Sequence, residues 1–207
     1  MGRTCLHVEP PSPKANSGWG DTPIIIFPSP PPCQTLAAPL PASYNVPMDH
    51  IVHPIPPFYD RDSTILILGS FPSVKSREQM FFYGHPQNRF WKVMAAVFDS
   101  TVPETIPDKK KLLSDNRIAL WDVIGSCDIE GSSDASIRNV IANDLSVILG
   151  GADIQKIIVN GRTAEKYYIR YTQSVTGIKA VCLPSTSPAN AAWSVERLTK
   201  VWKAELR

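Results

Sequence analysis

The chain has 207 residues and a formal net charge of +2, which fits one domain with a tail and permits a nucleic-acid partner without arguing for one. No apolar run approaches the roughly 20 residues of a membrane span, and the first residues lack the pattern of a secretory signal. The four cysteines are scattered without metal-ligand spacing. We therefore predict reduced thiols and neither a structural metal nor an iron–sulfur cluster.

The first part of the chain is rich in proline: 14 of the 20 prolines lie at or before Pro57. Such a segment forms neither helix nor sheet ladder, and few periodic apolar residues offset its ordering entropy. We predict that residues 1–47 are a disordered extension and that residues 48–207 form the working domain. The extension could be a polyproline ligand for a partner, but an untidy extension ahead of Met48 is the plainer interpretation.

From Tyr59 onward, short apolar runs alternate with helical patterns. The predicted strands are Ile65–Gly69, Ile118–Ile124, Lys156–Asn160 and Ile178–Leu183. The predicted helices are Asn88–Phe98, Asp108–Asp115, Ala135–Leu149, Ala164–Tyr171 with Thr163 as its cap, and Ser194–Leu206. Apolar, β-branched strands separated by helices predict an α/β fold with a mostly parallel sheet that is covered on both faces.

Ligands of such sheets bind beyond the carboxyl ends of the strands, where three predicted loops meet. These loops are Gly69–Gln87, Asp122–Asp134 and Pro184–Ala191. They carry small residues, aromatic rings, carboxamides and one strand-end carboxylate, which suit a flat polar ligand such as a nucleobase. The glycine-rich phosphate-binding motifs and the nucleophile-elbow motif are absent, which argues against dinucleotide enzymes, P-loop enzymes and that class of hydrolase.

Two stretches, Gly69–Ser73 and Tyr83–Trp91, closely resemble the uracil-DNA glycosylase superfamily, and within it the branch of hypoxanthine-DNA (deoxyinosine) glycosylases. The resemblance extends to Leu120–Val123, Gly131–Asp134 and Ser185–Asn190. It implies a three-layer α/β/α sandwich around a four-stranded parallel sheet. It also implies a monofunctional DNA repair glycosylase that flips and hydrolyses out a deaminated base: hypoxanthine, with uracil or xanthine as alternatives.

The same resemblance implies a monomer that uses no cofactor and acts on DNA containing deaminated bases. No membrane partner is expected. A prokaryotic enzyme of this kind would be cytoplasmic and associated with the nucleoid, and a eukaryotic one would be nuclear or organellar.

The catalytic groups of the wider superfamily are missing here. Mismatch-type relatives carry an Asn where Phe71 stands and many relatives carry a His where Ser185 stands. In the hypoxanthine branch the Asn of the H-P-Q-N run is catalytic, so the resemblance implies that Asn88 orients the attacking water. Asn is also a favoured helix N-cap, and Asn88 lies where the first predicted helix begins.

The resemblance also implies the residues that contact the base and the DNA. Asp122 would accept the N1–H of hypoxanthine, or would bind loop amides instead. Tyr83, with Phe82 as the alternative, would stack on the base, unless these rings belong to the core. The end of the first strand completes the base site with Gly69, Ser70 and Phe71. The last loop either enters the DNA or is an ordinary turn, and its DNA contacts would be Ser185, Ser187, Pro188 and Asn190.

Three other functions fit some of these observations. A uracil- or mismatch-specific glycosylase would use the same scaffold. A catalytically silent nucleic-acid-binding module would explain the loss of both usual catalytic groups. A nucleoside hydrolase would use the same bond chemistry without duplex DNA, but the last loop argues against it.

Overall fold

The computed structural model describes residues 48–207, and the predicted extension 1–47 lies outside the described residues. In chain order the elements are β1 (Asp49–Val52), β2 (Ile65–Gly69), α1 (Val74–Gln79), α2 (Phe90–Val97), α3 (Ile106–Asp115), β3 (Ile118–Asp122), β4 (Ile124–Ile129), β5 (Arg138–Ala142), α4 (Ser146–Leu149), β6 (Lys156–Asn160), α5 (Arg162–Tyr171), α6 (Gln173–Thr176), β7 (Val181–Leu183) and α7 (Val195–Leu206). A single 3-10 turn, Asp134–Ser136, precedes β5.

The centre of the fold is a four-stranded sheet with the order β3-β2-β6-β7, and all its strand pairs are parallel. Every residue of β3 is buried, and β2 and β6 are buried except for their first residues. Strands buried along their whole length must be covered on both faces. The predicted three-layer α/β/α sandwich is therefore confirmed.

Helices α2 and α7 pack against each other in one of the covering layers. The ring of Phe90 meets the ring of Trp202 edge-on, with 5.9 Å between their centroids. The indole N–H of Trp202 donates to the Pro184 carbonyl at 3.1 Å, which ties the last helix to the loop after β7. None of the helices in the described part of the chain has the length and apolarity of a membrane span.

A second sheet, antiparallel with the order β1-β4-β5, was not predicted. The predicted helix Ala135–Leu149 is wrong, because that stretch forms the 3-10 turn, β5 and the short α4. The predicted loop Asp122–Asp134 is also wrong over β4, which pairs with strands on both sides. Pairing between distant segments outweighs local propensity in such strands.

Several boundaries also differ from the predictions. Helix α2 begins at Phe90, two residues after Asn88, and a further short helix, α1, lies inside the predicted first loop. Helix α5 begins at Arg162 with Gly161, at φ 98°, in the N-cap position that was assigned to Thr163. The positive φ of Gly161 suits a residue without a Cβ.

The register of the central sheet brings four strand ends to one edge. Gly69 pairs with Asp122 across β2 and β3, and Asn160 pairs with Leu183 across β6 and β7. Side chains that follow these residues meet at this edge, as the position of sites in parallel sheets requires.

Candidate active site

A cavity of about 380 Å³ lies at the carboxyl edge of the central sheet. Its volume falls in the range of small-molecule sites. Eight of the ten predicted site residues line it: Gly69, Ser70, Phe71, Tyr83, Asn88, Asp122, Ser185 and Ser187. Among the remaining two, Asn190 lines a neighbouring, more open cavity and Pro188 lines neither.

The side chain of Asn88 is held by two hydrogen bonds to its oxygen. Asn88 Oδ1 accepts from the Phe90 N–H and from the Thr186 hydroxyl, both at 3.0 Å. A backbone N–H can only donate, so the atom that faces it must be the amide oxygen. The –NH2 group of Asn88 has no partner among residues 48–207, which leaves it for a water or a ligand in the cavity. The N-cap residue of α2 is Arg89 and not Asn88, although the Asn88 side chain accepts a hydrogen bond from the first N–H of the helix.

Behind Asn88 lies a second carboxamide, Asn160, at the end of β6. Its Nδ2 donates to Thr186 Oγ1 at 3.0 Å, and its Oδ1 accepts from the Thr186 N–H at 3.0 Å. Thr186 is fully buried and Asn160 nearly so. Because Thr186 Oγ1 accepts from Asn160, its own proton is free for Asn88. The three side chains form one directed chain of hydrogen bonds that ends at the cavity.

The carboxylate of Asp122 lies across the cavity and is bound to a histidine. His53 Nε2 lies 2.9 Å from Asp122 Oδ2, and both side chains are almost completely buried, with 2% and 6% exposed. Oδ1 of the same carboxylate accepts no hydrogen bond from a described residue. The loop-binding alternative for Asp122 finds little support, since Asn143 binds the backbone carbonyl of Asp122 and not its side chain.

The missing side chain of Gly69 leaves space for the Asp122 carboxylate. A Cβ at Gly69 would lie 2.2 Å from Asp122 Oδ1 and 3.2 Å from the Tyr83 hydroxyl oxygen. A separation of 2.2 Å is far below any non-bonded contact, so a side chain here would displace Asp122. Glycine at this strand end is therefore a requirement of the cavity.

Tyr83 stacks on the core and brings its hydroxyl to the same place. Its ring lies on the Phe90 ring, with centroids 3.9 Å apart and an angle of 20°. Its backbone adopts φ 53°, which is uncommon for a residue other than glycine. The buried hydroxyl has no hydrogen-bond partner among the described residues. Burial raises the pKa of this hydroxyl and the nearby Asp122 carboxylate adds to the shift, so the group remains a donor.

Phe71 and Ser70 occupy the turn after β2. Phe71 is buried, and its ring meets the His53 ring edge-on at 5.8 Å. The Ser70 hydroxyl donates to Asp134 Oδ1 at 3.1 Å, which brings a second carboxylate to the mouth of the cavity. Burial raises the pKa of Asp134, while the hydrogen bond from Ser70 opposes the shift.

The last loop is fastened by Arg89 from the start of α2. Its guanidinium donates to the carbonyls of Thr186, Ser187, Asn190 and Trp193. Arg89 therefore braces this loop against the start of α2. Asn190 Nδ2 also donates within the loop, to the Ser185 carbonyl at 2.9 Å. Pro188 is exposed at the tip.

A family model described as the uracil DNA glycosylase superfamily matches residues 56–206. The chain belongs to the uracil DNA glycosylase superfamily. The predicted resemblance is thus confirmed, and the match covers the whole of the central sheet and all ten predicted site residues.

Named members of this superfamily are similar over most of their own length. A hypoxanthine DNA glycosylase of Methanosarcina acetivorans is 35% identical over 154 residues, which is 73% of this chain and 96% of the relative. A hypoxanthine DNA glycosylase of Methanosarcina barkeri is 31% identical over 114 residues, or 54% of this chain and 72% of the relative. A solution NMR structure of a Methanosarcina acetivorans protein, provisionally assigned as a uracil DNA glycosylase, superimposes with a TM-score of 0.64 at 34% identity, covering 74% of this chain and 94% of that one.

Three residues of this glycosylase-superfamily site were missed by the sequence analysis: His53, Asn160 and Thr186. Asn160 ends a predicted strand at the predicted edge, so its position was available as a signal. Thr186 lies inside a predicted site loop without a distinguishing pattern. His53 meets its partner 69 residues away, and no spacing or motif points to it.

Proposed function

We propose that this chain is a monofunctional DNA glycosylase that flips a deaminated base out of DNA and hydrolyses its N-glycosidic bond, with hypoxanthine as the principal base. The names of its two archaeal relatives support this substrate. The observation that carries the proposal is the fixed carboxamide of Asn88 in a cavity whose opposite wall holds a free carboxylate oxygen.

Base recognition follows from a fixed hydrogen-bond acceptor in the cavity wall. Asp122 Oδ1 accepts the N1–H of hypoxanthine, which lies beside the O6 carbonyl, and the Tyr83 ring, which lines the cavity, stacks on the base. Adenine presents the opposite pattern at this edge, an acceptor at N1 and a donor at its 6-amino group. Uracil and xanthine also carry a ring N–H beside a carbonyl, so they are the further candidate substrates.

In catalysis, Asn88 holds the attacking water in position. The side-chain oxygen of Asn88 already accepts two hydrogen bonds and cannot accept a third. Its –NH2 group can donate a hydrogen bond to the water oxygen and keep the water near the sugar. A carboxamide cannot deprotonate this water. Cleavage through an oxocarbenium-like state depends more on stabilising the leaving base than on a strong nucleophile, so a positioned water suffices.

Access to the base requires extrusion from the duplex. We assign to the exposed tip of the last loop, at Pro188, the role of filling the gap that the extruded base leaves in the DNA duplex. Ser185, Ser187 and Asn190 make the further DNA contacts of this loop. Extrusion costs a few kcal/mol and least for a poorly paired base, which favours deaminated lesions. Because Arg89 already orders this loop, the loop loses less conformational entropy when it binds DNA.

The chemistry stops at an abasic site. No lysine among residues 48–207 lines the cavity, and a lyase step would need an amine to form a Schiff base. We further propose that the enzyme acts as a monomer formed by residues 48–207, with residues 1–47 as an accessory extension. It would work where DNA is, which in a prokaryotic cell is the cytoplasm beside the nucleoid.

The test is a single-turnover assay with the wild-type chain on matched duplexes that carry inosine, uracil or xanthine, and on free deoxyinosine. We expect abasic product from the inosine duplex at the highest rate. Faster release of uracil would instead assign the chain to the uracil-specific rival. Binding of lesion duplexes without product at any enzyme concentration would favour the silent module, and hydrolysis of the free nucleoside alone would favour a nucleoside hydrolase.

A further inference from the structure

His53 is enclosed beside the proposed base site. His53 follows β1, and its backbone N–H donates to the Gly125 carbonyl at 2.7 Å. Only 2% of its side chain is exposed, and three aromatic rings surround it, with centroids 5.8 to 6.4 Å from its own: Phe71, Phe82 and Trp121. A polar ring in such a place needs partners for both nitrogens.

Both nitrogens of His53 have partners, and the partners define the tautomer. The Ile55 N–H donates to His53 Nδ1 at 3.2 Å, so Nδ1 carries no proton. The proton of the neutral ring therefore lies on Nε2, which donates to Asp122 Oδ2 at 2.9 Å. The bond has one direction: His53 is the donor and the carboxylate is the acceptor.

The consequence concerns the other carboxylate oxygen, Oδ1. With Oδ2 held by His53, the carboxylate cannot rotate, and Oδ1 stays beside Gly69 at the cavity wall. We propose that His53 is a positioning residue that keeps Asp122 as a fixed hydrogen-bond acceptor for a ring N–H, and that it thereby sets the discrimination between hypoxanthine and adenine. This inference rests on the proposed function, whose base-reading step it explains.

Adenine is the base that the site most needs to reject, since it is the unmodified parent of hypoxanthine. At N1 adenine has a lone pair, which would face the lone pairs of Asp122 Oδ1. A buried site built for a donor rejects an analogue that lacks it far more strongly than a site built on shape alone. A carboxylate free to rotate would lose part of this rejection, because it could turn Oδ1 away from the base.

The proposal is tested by binding, which can be measured whether or not a base is released. The ligands are duplexes that carry 2′-fluoro-deoxyinosine or 2′-fluoro-deoxyadenosine opposite thymine, because the fluorine slows cleavage. The variants are His53→Phe, which keeps a buried ring without a donor, and His53→Gln, whose amide can donate to Asp122. Differences between the duplexes themselves cancel when each variant is compared with the wild type.

We expect His53→Phe to lower the inosine-to-adenosine affinity ratio by about 10-fold or more, the value of a hydrogen bond to a charged group. His53→Gln should restore the ratio to within about threefold of the wild type, which a purely space-filling role for the ring would not produce. Thermal unfolding checks that each variant is folded, and His53→Leu replaces His53→Phe if that variant is not.

A ratio that stays at the wild-type value in the donor-free variant would overturn the inference, and so would an equal loss of affinity for both duplexes. The proposed function fails by a different observation, namely no base release by the wild type from a cleavable inosine duplex. A wild type that releases hypoxanthine, together with an unchanged ratio in His53→Phe, would refute the role of His53 alone.

Discussion

Replacing Thr186 by Val tests whether the hydrogen-bond chain behind Asn88 serves catalysis. Valine has nearly the same shape, so the change removes the hydroxyl and little else. The Thr186 hydroxyl takes part in two bonds, one from Asn160 Nδ2 and one to Asn88 Oδ1, both 3.0 Å long. Both are lost at once in the variant.

The magnitude follows from burial. Thr186 is fully buried and Asn160 is 9% exposed, so the Asn160 amide loses its partner in a place that water does not easily reach. Leaving a buried donor unsatisfied costs about 1–3 kcal/mol of unfolding free energy. Asn88 keeps only the Phe90 N–H as a partner and can swing about that contact. A misplacement of about 1 Å can cost about 100-fold in rate, so we expect the excision rate to fall about 10- to 100-fold.

The assay pairs urea unfolding with single-turnover excision from an inosine duplex at saturating enzyme. Thr186→Ser is the matched control, because it keeps the hydroxyl and removes only the methyl group, and it should retain most of the wild-type rate. A Val variant that loses stability but excises within about twofold of the wild-type rate would refute the reasoning. In that case the hydroxyl would be a structural partner, and the Phe90 N–H alone would suffice to hold Asn88.

Three further predictions concern the walls of the cavity and the loop beside it. Arg89→Lys keeps the charge but not the forked donors that bind four carbonyls, so the affinity for a lesion duplex should fall about 10-fold. Fluorescence anisotropy measures this affinity, and an undiminished value would contradict the bracing role of Arg89. Gly69→Ala places a methyl group 2.2 Å from Asp122 Oδ1 and should abolish inosine excision. Circular dichroism should show that the variant is still folded. An active variant would show that excision does not need the Asp122 carboxylate at this position. Asp122→Asn should lower the inosine-to-adenosine affinity ratio measured with the 2′-fluoro duplexes, because an amide –NH2 can turn toward the N1 lone pair of adenine, and an unchanged ratio would remove Asp122 from base reading.

The central sheet could be predicted from the sequence because its strands are continuous apolar runs. The stretches that form β2, β3 and β6 are buried on both faces, and that burial leaves a direct signature in residue type. Strands β4 and β5 have no such signature, because polar residues such as Ser126 and Asp128 lie among the apolar ones and β4 also pairs with the remote strand β1. The short helix α4 then completed a false helical pattern over 135–149.

The site shows the same division. Residues such as Gly69, Asn88 and Asp122 could be named from their motifs and from their place at the ends of predicted elements. The groups that orient them could not, because they act through contacts between distant segments. Asn88 and Thr186 are 98 residues apart, and His53 and Asp122 are 69 apart. A sequence motif records which side chains meet the ligand better than it records which side chains hold them.

The central claim is that Asn88 positions the water for excision, and one measurement addresses it directly. It is single-turnover release of hypoxanthine from an inosine duplex by the wild type, Asn88→Ala and Asn88→Asp. The Asp variant keeps an oxygen for the Phe90 N–H and the Thr186 hydroxyl but replaces the –NH2 group that faces the cavity. We predict losses of about 100- to 1,000-fold for both variants with lesion-duplex binding retained. Release at the wild-type rate by either variant would contradict the account and would transfer the role to another group of the cavity, with Asp122 as the next candidate.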